Sequence, residues 1–320
     1  MQIYVLVIDG VFDTGLATVL DAFTTANELA RLGDQRAPHF DVRLVGVRRQ
    51  VTTALGLKVP VHSVRNLTPP DLVVVPAPGC KLPAQLLPAL SRADVADAMV
   101  VLQQWAAAGS FVAAACIGSF ILAEAGLLDG GEATTSWWLA PLFRQRYPRV
   151  RLDESRMVIA SGQHLTAGAA LSHMDMALWI IRRASPALAA MTARYLVVDS
   201  RPSQAGYVIP DHLAHSDPVV ERFERWARER LAEGFSLDDA ATAMATSKRT
   251  LARRLQLVLG KSPLAYFQDL RVEQAVHLLK TSQDSVEQIA ARVGYADGVT
   301  LRNLLRRKLG RGVRELRRHD

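Results

Sequence analysis

Short apolar runs rich in β-branched residues recur at positions 3–8, 40–47, 72–76, 111–115 and 157–160. Between them lie stretches with helical spacing, around 16–32, 83–108, 117–126 and 169–184. Such runs have the length of buried strands, and their alternation with helices predicts a mostly parallel sheet covered on both faces. In sheets of this kind chemistry gathers just beyond the strand C-termini. From about residue 217 the pattern is helical throughout. The stretch 199–217, with Pro202, Gly206, Pro210 and His215 and few periodic positions, reads as a linker. The expected architecture is an α/β domain with a doubly wound, mostly parallel sheet over 1–198, a linker at 199–216, and an all-α domain at 217–320.

The helical third repeats internally. Ser247-Lys248-Arg249-Thr250-Leu251, Leu255 and Leu259-Gly260 recur as Val299-Thr300-Leu301, Leu305 and Leu309-Gly310 at an offset of 50. Ala240-Ala241 recurs as Ile289-Ala290 at an offset of 49. Each copy reads as a short helix, a tight turn and a second helix with Leu on one face, closed by Gly, which is helix-turn-helix geometry. Pro263 opens a helix between the copies that would fix their separation, so that two recognition helices could enter successive major grooves of one duplex.

Charge follows the same division. The 320 residues carry a net charge of +7 and 49% hydrophobic residues. Residues 1–215 hold 18 Lys and Arg against 17 Asp and Glu, whereas 216–320 hold 20 against 14. A basic excess confined to one domain points to a polyanion, and double-stranded DNA before a membrane. No run approaches the roughly 18 apolar residues of a membrane span. The first ten residues reach Asp9 without a basic leader and read as a buried strand, so the cytoplasm is the expected compartment. Cys80 and Cys116 are the only cysteines, too few for a disulfide framework or a four-cysteine metal site. No metal or cofactor is expected.

At 111–120 an apolar strand runs through Cys116 into a small-residue turn and a helix. That is a nucleophile-elbow arrangement, in which the helix N-terminus would lower the thiol pKa and could hold an anionic group. A buried, inert Cys is the competing reading.

Residues 217–320 resemble the AraC/XylS-family DNA-binding domain. The resemblance rests on Leu237 to Ala241, Ser247-x-Arg249-x-Leu251-x-Arg253, Gly260-x-Ser262-Pro263-x-x-Tyr266, Arg271-x-x-x-Ala275-x-x-Leu278-Leu279 and Ile289-Ala290-x-x-Val293-Gly294-Tyr295. Val313 and Leu316 stand in the slots of that family's terminal Pro and Tyr, and Asn303 where Arg is usual. Helical spacing places Lys248, Arg249 and Arg253 on one exposed side, with Thr300, Arg302, Asn303 and Arg306 on the corresponding side of the second copy. Arg suits guanine and Asn suits adenine. Arg254, Lys261, Arg307 and Lys308 read as phosphate contacts that set register.

Residues 1–198 resemble the class I glutamine-amidotransferase-like superfamily, flavodoxin-like in fold, and within it the PfpI-type sensor domain of GlxA-family regulators. The matching stretches are Cys116-x-Gly118, Leu122-Ala123-x-Ala125-Gly126-Leu127-Leu128-Asp129-Gly130, Ala133-Thr134-Thr135, and Thr166-Ala167-Gly168 before a helix containing Asp175. Where that family has a His after the Ala-Thr-Thr stretch, this chain has Ser136, followed by Trp137-Trp138. Gly15 occupies the acidic slot of the first helix, with Asp13 two residues earlier. A hydroxyl cannot serve as the base a cysteine hydrolase needs, which leaves His164 and His173 as substitutes. The expected site is a sensing pocket lined by Asp13, Cys116, Ile117, Ser136 and Trp137, without a catalytic residue.

The resemblance implies a homodimeric transcriptional regulator that responds to a small, nitrogenous effector and works with RNA polymerase. Such effectors include quaternary amines, which an aromatic wall at Trp137-Trp138 could hold through a ring face. The competing class is a cysteine-dependent amidase or hydratase carrying a DNA-binding domain.

Overall fold

A computed structural model describes residues 1–32, 38–199, 201, 203–204, 217–310 and 312–317. The chain divides into two compact units, Met1–Val208 and Ile209–Asp320.

The first unit is built on a seven-stranded sheet. Its strands are β1 (Gln2–Leu6), β2 (Asp41–Gly46), β5 (His62–Ser63), β6 (Leu72–Val75), β7 (Phe111–Ala115), β10 (Val158–Ser161) and β11 (His164–Ala167). Their order is β10-β11-β7-β6-β1-β2-β5, parallel throughout except for the antiparallel β10–β11 pair at one edge. The five apolar runs of the sequence are β1, β2, β6, β7 and β10. Successive side chains of β1 enter opposite cores, Tyr4 and Leu6 on one face, Ile3 and Val5 on the other, as the two-residue period of a strand buried on both sides requires. Helices α1 (Asp13–Leu32), α6 (Ser172–Ala184) and α7 (Pro186–Tyr195) cover one face. The other face is covered by α2 (Pro83–Leu90), α3 (Ala93–Ala107), α4 (Gly118–Glu124) and α5 (Ala140–Arg146).

Several elements escape the periodicity. The stretch 83–108 is two helices, because Arg92 is extended (φ −72°, ψ 148°) and its guanidinium is bonded to Asp94 and to the carbonyl of Asp9. The hairpin of β3 (Gln50–Thr52) and β4 (Lys58–Pro60), and the pair β8 (Glu132–Ala133) and β9 (Arg151–Leu152), are too short to show alternation. Strand β11 was legible only as the Thr166-Ala167-Gly168 motif.

Of the expected linker, residues 200, 202 and 205–216 lie outside the described residues. Arg201, Ser203 and Gln204 are not a free spacer: all three are hydrogen-bonded to the first unit.

The second unit repeats as the sequence does. Helices α9 (Leu237–Ala243) and α10 (Lys248–Leu259) form one helix-turn-helix, α12 (Val286–Arg292) and α13 (Gly298–Leu309) the other. The long α11 (Pro263–Thr281) stands between them, α8 (Pro218–Arg228) precedes and α14 (Val313–Arg317) closes. Ser247 and Asp297 cap the recognition helices by accepting from Thr250 N and Thr300 N, and Gly260 and Gly310 end them in the left-handed region. Leu251, Leu255, Leu301 and Leu305 are fully buried, and Leu316 completes the second core.

Candidate functional site

Cys116 sits at the tip of β7 with φ +55°, a left-handed conformation rare for a side-chain-bearing residue. Its N–H donates to Ala167 O at 2.9 Å, and its carbonyl accepts from the hydroxyls of Ser119 (2.7 Å) and Thr135 (3.2 Å). These bonds hold the strained turn. Gly118 lets it pass over β6, since a Cβ there would lie 2.5 Å from Val75 O. The elbow geometry expected from the sequence is present.

The lowered thiol pKa is not. Sγ of Cys116 lies 2.8 Å from Oγ of Ser136, and both residues are buried. Burial pushes the thiol up to about 11, outweighing the bond to Ser136 and the backbone amide of Ile117, both of which pull it down. Desolvation of a would-be thiolate therefore overrides the helix N-terminus. Cys80, half-buried, is likewise pushed up by burial.

Neither histidine supplies a base. His173 is fully buried; Ala77 N donates to its Nε2 (3.2 Å), so Nδ1 carries the proton toward Ala170 O (2.6 Å). Both nitrogens are engaged in holding the fold, and burial depresses its pKa to about 4. Gly15 makes room for that ring, because a Cβ there would lie 2.7 Å from Nε2. This explains why no acidic side chain stands in that slot. His164 pairs with Val112 in the sheet register while Ala167 pairs with Ala115. It is three strand positions from the turn, roughly 10 Å.

The other expected pocket residues divide. Ser136 and Ile117 are buried at the turn, Ile117 as the residue following Cys116. Asp13 opens α1 and accepts from Leu55 N of the β3–β4 hairpin through Oδ2 (3.1 Å), while its Oδ1 is buried without a hydrogen bond among the described residues. Trp137 is buried and meets Trp138 edge to face, at 5.4 Å and 85°. Trp138 Nε1 donates to Lys81 O. The two rings cover part of each other rather than lining one open wall. Gln204, which no periodicity or motif marks, is buried against this site and bonded to Thr134 and Thr135. A cavity of about 270 Å³ in this unit lies at the opposite strand ends, lined by Met1, Phe111, Trp179 and Arg183.

On the recognition helices the structure sorts the expected DNA contacts by what holds them. Arg249, Arg253, Asn303, Arg306 and Arg307 are exposed and make no ion pair or side-chain hydrogen bond among the described residues. Lys248 pairs with Asp238 (2.6 Å) and Arg302 with Glu287 (2.8 Å). Asp238 and Glu287 are equivalent at the repeat offset of 49, so each copy ties one cation of its recognition helix to the helix before it. Thr300 is exposed and bonded to the cap Asp297. Arg254 pairs with Asp217 (2.6 Å) at the start of α8; Lys261 (2.7 Å) and Lys308 both pair with Asp269. These last three brace the helical unit.

Residues 1–183 match the DJ-1/PfpI family and residues 240–319 a helix-turn-helix domain. The chain is similar to the HTH-type transcriptional regulator GbdR of Pseudomonas aeruginosa, 27% identical over 295 residues, covering 91% of this chain and 77% of that protein. It is also similar to the HTH-type transcriptional regulator ArgR of the same organism, 28% identical over 237 residues, 73% of this chain and 69% of the relative. Among solved structures, an AraC family transcriptional regulator from Pseudomonas putida matches 61% of this chain and 98% of its own, at 20% identity and a TM-score of 0.50. That likeness shows the fold.

Proposed function

The chain belongs to the DJ-1/PfpI family, and from that premise we propose that its α/β unit senses a small molecule and sets the DNA binding of the AraC-type helix-turn-helix region to which it is joined. The protein is a transcriptional regulator with a DJ-1/PfpI-type domain and an AraC-type DNA-binding domain. The observation that carries the sensing role is the Cys116–Ser136 contact. A thiol held near pKa 11, bonded to a hydroxyl and served by no free imidazole among the described residues, is a wall and not a nucleophile at neutral pH.

In this reading Arg249 and Arg253 of the first copy, with Asn303 and Arg306 of the second, read base edges, and Arg307 contacts phosphate. Lys248 and Arg302 join them by exchanging a carboxylate for the polyanion. Thr300 stays at its cap, and Arg254 and Lys261 act on DNA only through the frame they brace. The α/β unit pairs two copies into a homodimer so that two half-sites are bound at once, RNA polymerase is the downstream partner, and the protein works in the cytoplasm. Among the described residues no helix is long and apolar enough to cross a membrane. The effector is a small nitrogenous metabolite, and membership of the GlxA branch follows the Cys116-x-Gly118 and Ala133-Thr134-Thr135 motifs.

The test uses the full-length protein. Operator fragments from upstream of neighbouring genes should bind with strong salt dependence, and one of a set of small amines and amino acids should shift that affinity. Cys116→Ser should leave DNA binding intact while altering the response. Turnover of small amides or nitriles that disappears in Cys116→Ser would establish the amidase or hydratase reading instead.

A further inference from the structure

The segment leaving the α/β unit is bonded into the site it leaves. Gln204 is 1% exposed. Its Nε2 donates to Thr135 O (2.9 Å), Thr134 Oγ1 (3.2 Å) and Arg156 O (3.3 Å), its Oε1 accepts from Ala169 N (2.9 Å), and its own N–H donates to Ser155 O (2.9 Å). The amide lies flat on Gly168, where a Cβ would come within 2.5 Å of it. A space that only glycine leaves open is filled by a side chain from outside the sheet. Ser203 Oγ donates to Ser155 O (2.7 Å). Arg201 Nη2 bonds Asp175 Oδ2 (2.5 Å) and Leu171 O (3.0 Å), and the Asp175 side chain is 9% exposed.

The segments that hold Gln204, around Thr134–Thr135 and Gly168–Ala169, also brace the Cys116 turn. Thr135, whose carbonyl takes the Gln204 amide, donates its hydroxyl to Cys116 O, and the next residue is Ser136. Ala167, beside Gly168, accepts from Cys116 N. Gln204 is thus linked to the backbone of Cys116 through Thr135 on one side and through Gly168 and Ala167 on the other.

We propose that Arg201, Ser203 and Gln204 form a strap that reports the state of the Cys116 site to the segment running on toward the DNA-binding unit. Moving Thr135 and the adjoining Ser136 to admit a molecule breaks the Gln204–Thr135 bond, and keeping that bond holds the site closed, so occupancy and strap release are two ends of one equilibrium. The relay rests on the sensing role assigned above, and its test involves no DNA. A chain that bound no operator would therefore overturn the regulator reading and leave this one standing.

In full-length protein carrying Cys80→Ser, Cys116 is the sole thiol. N-ethylmaleimide serves as the probe of the site. Gln204→Met keeps the length of the side chain and removes its amide. It should raise the alkylation rate of Cys116 by about tenfold or more, because the loops over the thiol lose their shared anchor. Conversely, alkylated Cys116 should speed hydrogen exchange at the amides of Gln204 and Ala169 in the otherwise unaltered chain. An alkylation rate within about twofold of the parent in a folded Gln204→Met protein would overturn the strap. So would unchanged exchange at those amides after alkylation, a measurement that needs no Gln204 variant to fold.

Discussion

The Cys116 turn and the two recognition-helix faces carry the chemically loaded residues of this protein, and they treat them in opposite ways. At the turn the thiol, the Cys116 carbonyl and the His173 ring are withdrawn from water and bonded within the protein: thiol to Ser136, carbonyl to Ser119 and Thr135, His173 at both nitrogens. On the recognition helices the apolar side is buried and five of the expected contacts, Arg249, Arg253, Asn303, Arg306 and Arg307, stand in solvent without an ion pair or side-chain hydrogen bond among the described residues. The contrast teaches what each region is built to do. A closed, self-satisfied turn can respond to a ligand only by rearranging. An exposed row of guanidinium groups is ready for a polyanion and needs no rearrangement.

The comparison is sharpest in stability. Phe120, fully buried against Phe143 (4.9 Å) and Tyr147 (5.8 Å) just after the turn, should cost about 3–5 kcal/mol when replaced by Ala. Arg249→Ala should change unfolding by no more than about 0.5 kcal/mol. Urea denaturation of both variants gives the ratio, and equal losses would erase the distinction.

Reactivity comes next. With its pKa near 11, Cys116 is a thiol at neutral pH, and the thiolate fraction grows tenfold per pH unit. Alkylation in the Cys80→Ser background should therefore rise about a hundredfold from pH 7 to 9. A rate that levels off below pH 8 would show a low-pKa thiolate and reopen the enzyme reading.

Between the two copies of the helix-turn-helix, Arg253→Ala should weaken operator binding by about 1–3 kcal/mol and relax preference at one base pair. Arg302→Ala should cost less, because that guanidinium must first leave Glu287. Competition binding against a mutated operator set separates them; an equal loss on every sequence for Arg253→Ala moves that residue to the phosphate class.

The smallest effect tests the tether itself. Glu287→Gln should free Arg302 and tighten DNA binding by no more than about fivefold, with a steeper salt dependence. No change would mean that the exposed pair already opens freely on DNA.

Much of this was legible because the sequence carries it locally. The five apolar runs are strands, the repeat at offsets of 49 and 50 yields two capped helix-turn-helix copies, and the Cys116-x-Gly118 spacing yields an elbow. What was misplaced depended on burial or on partners distant in sequence. The thiol pKa was expected to fall because a helix begins after it, and it rises because the whole turn is desolvated.

By itself, then, the sequence determined the period of the five long strands and of most helices, the Gly caps and the repeat, since all of these are set by residues within a few positions of one another; helix α7 and the break at Arg92 were not among them. Tertiary structure alone decided that His173 faces Gly15 and Ala77, that Arg302 is tethered where Arg253 is free, and that Gln204 folds back from the linker onto Gly168. Those contacts join residues 15 to 158 positions apart. Their strength comes from low local dielectric and close packing, which exist only once the chain has folded.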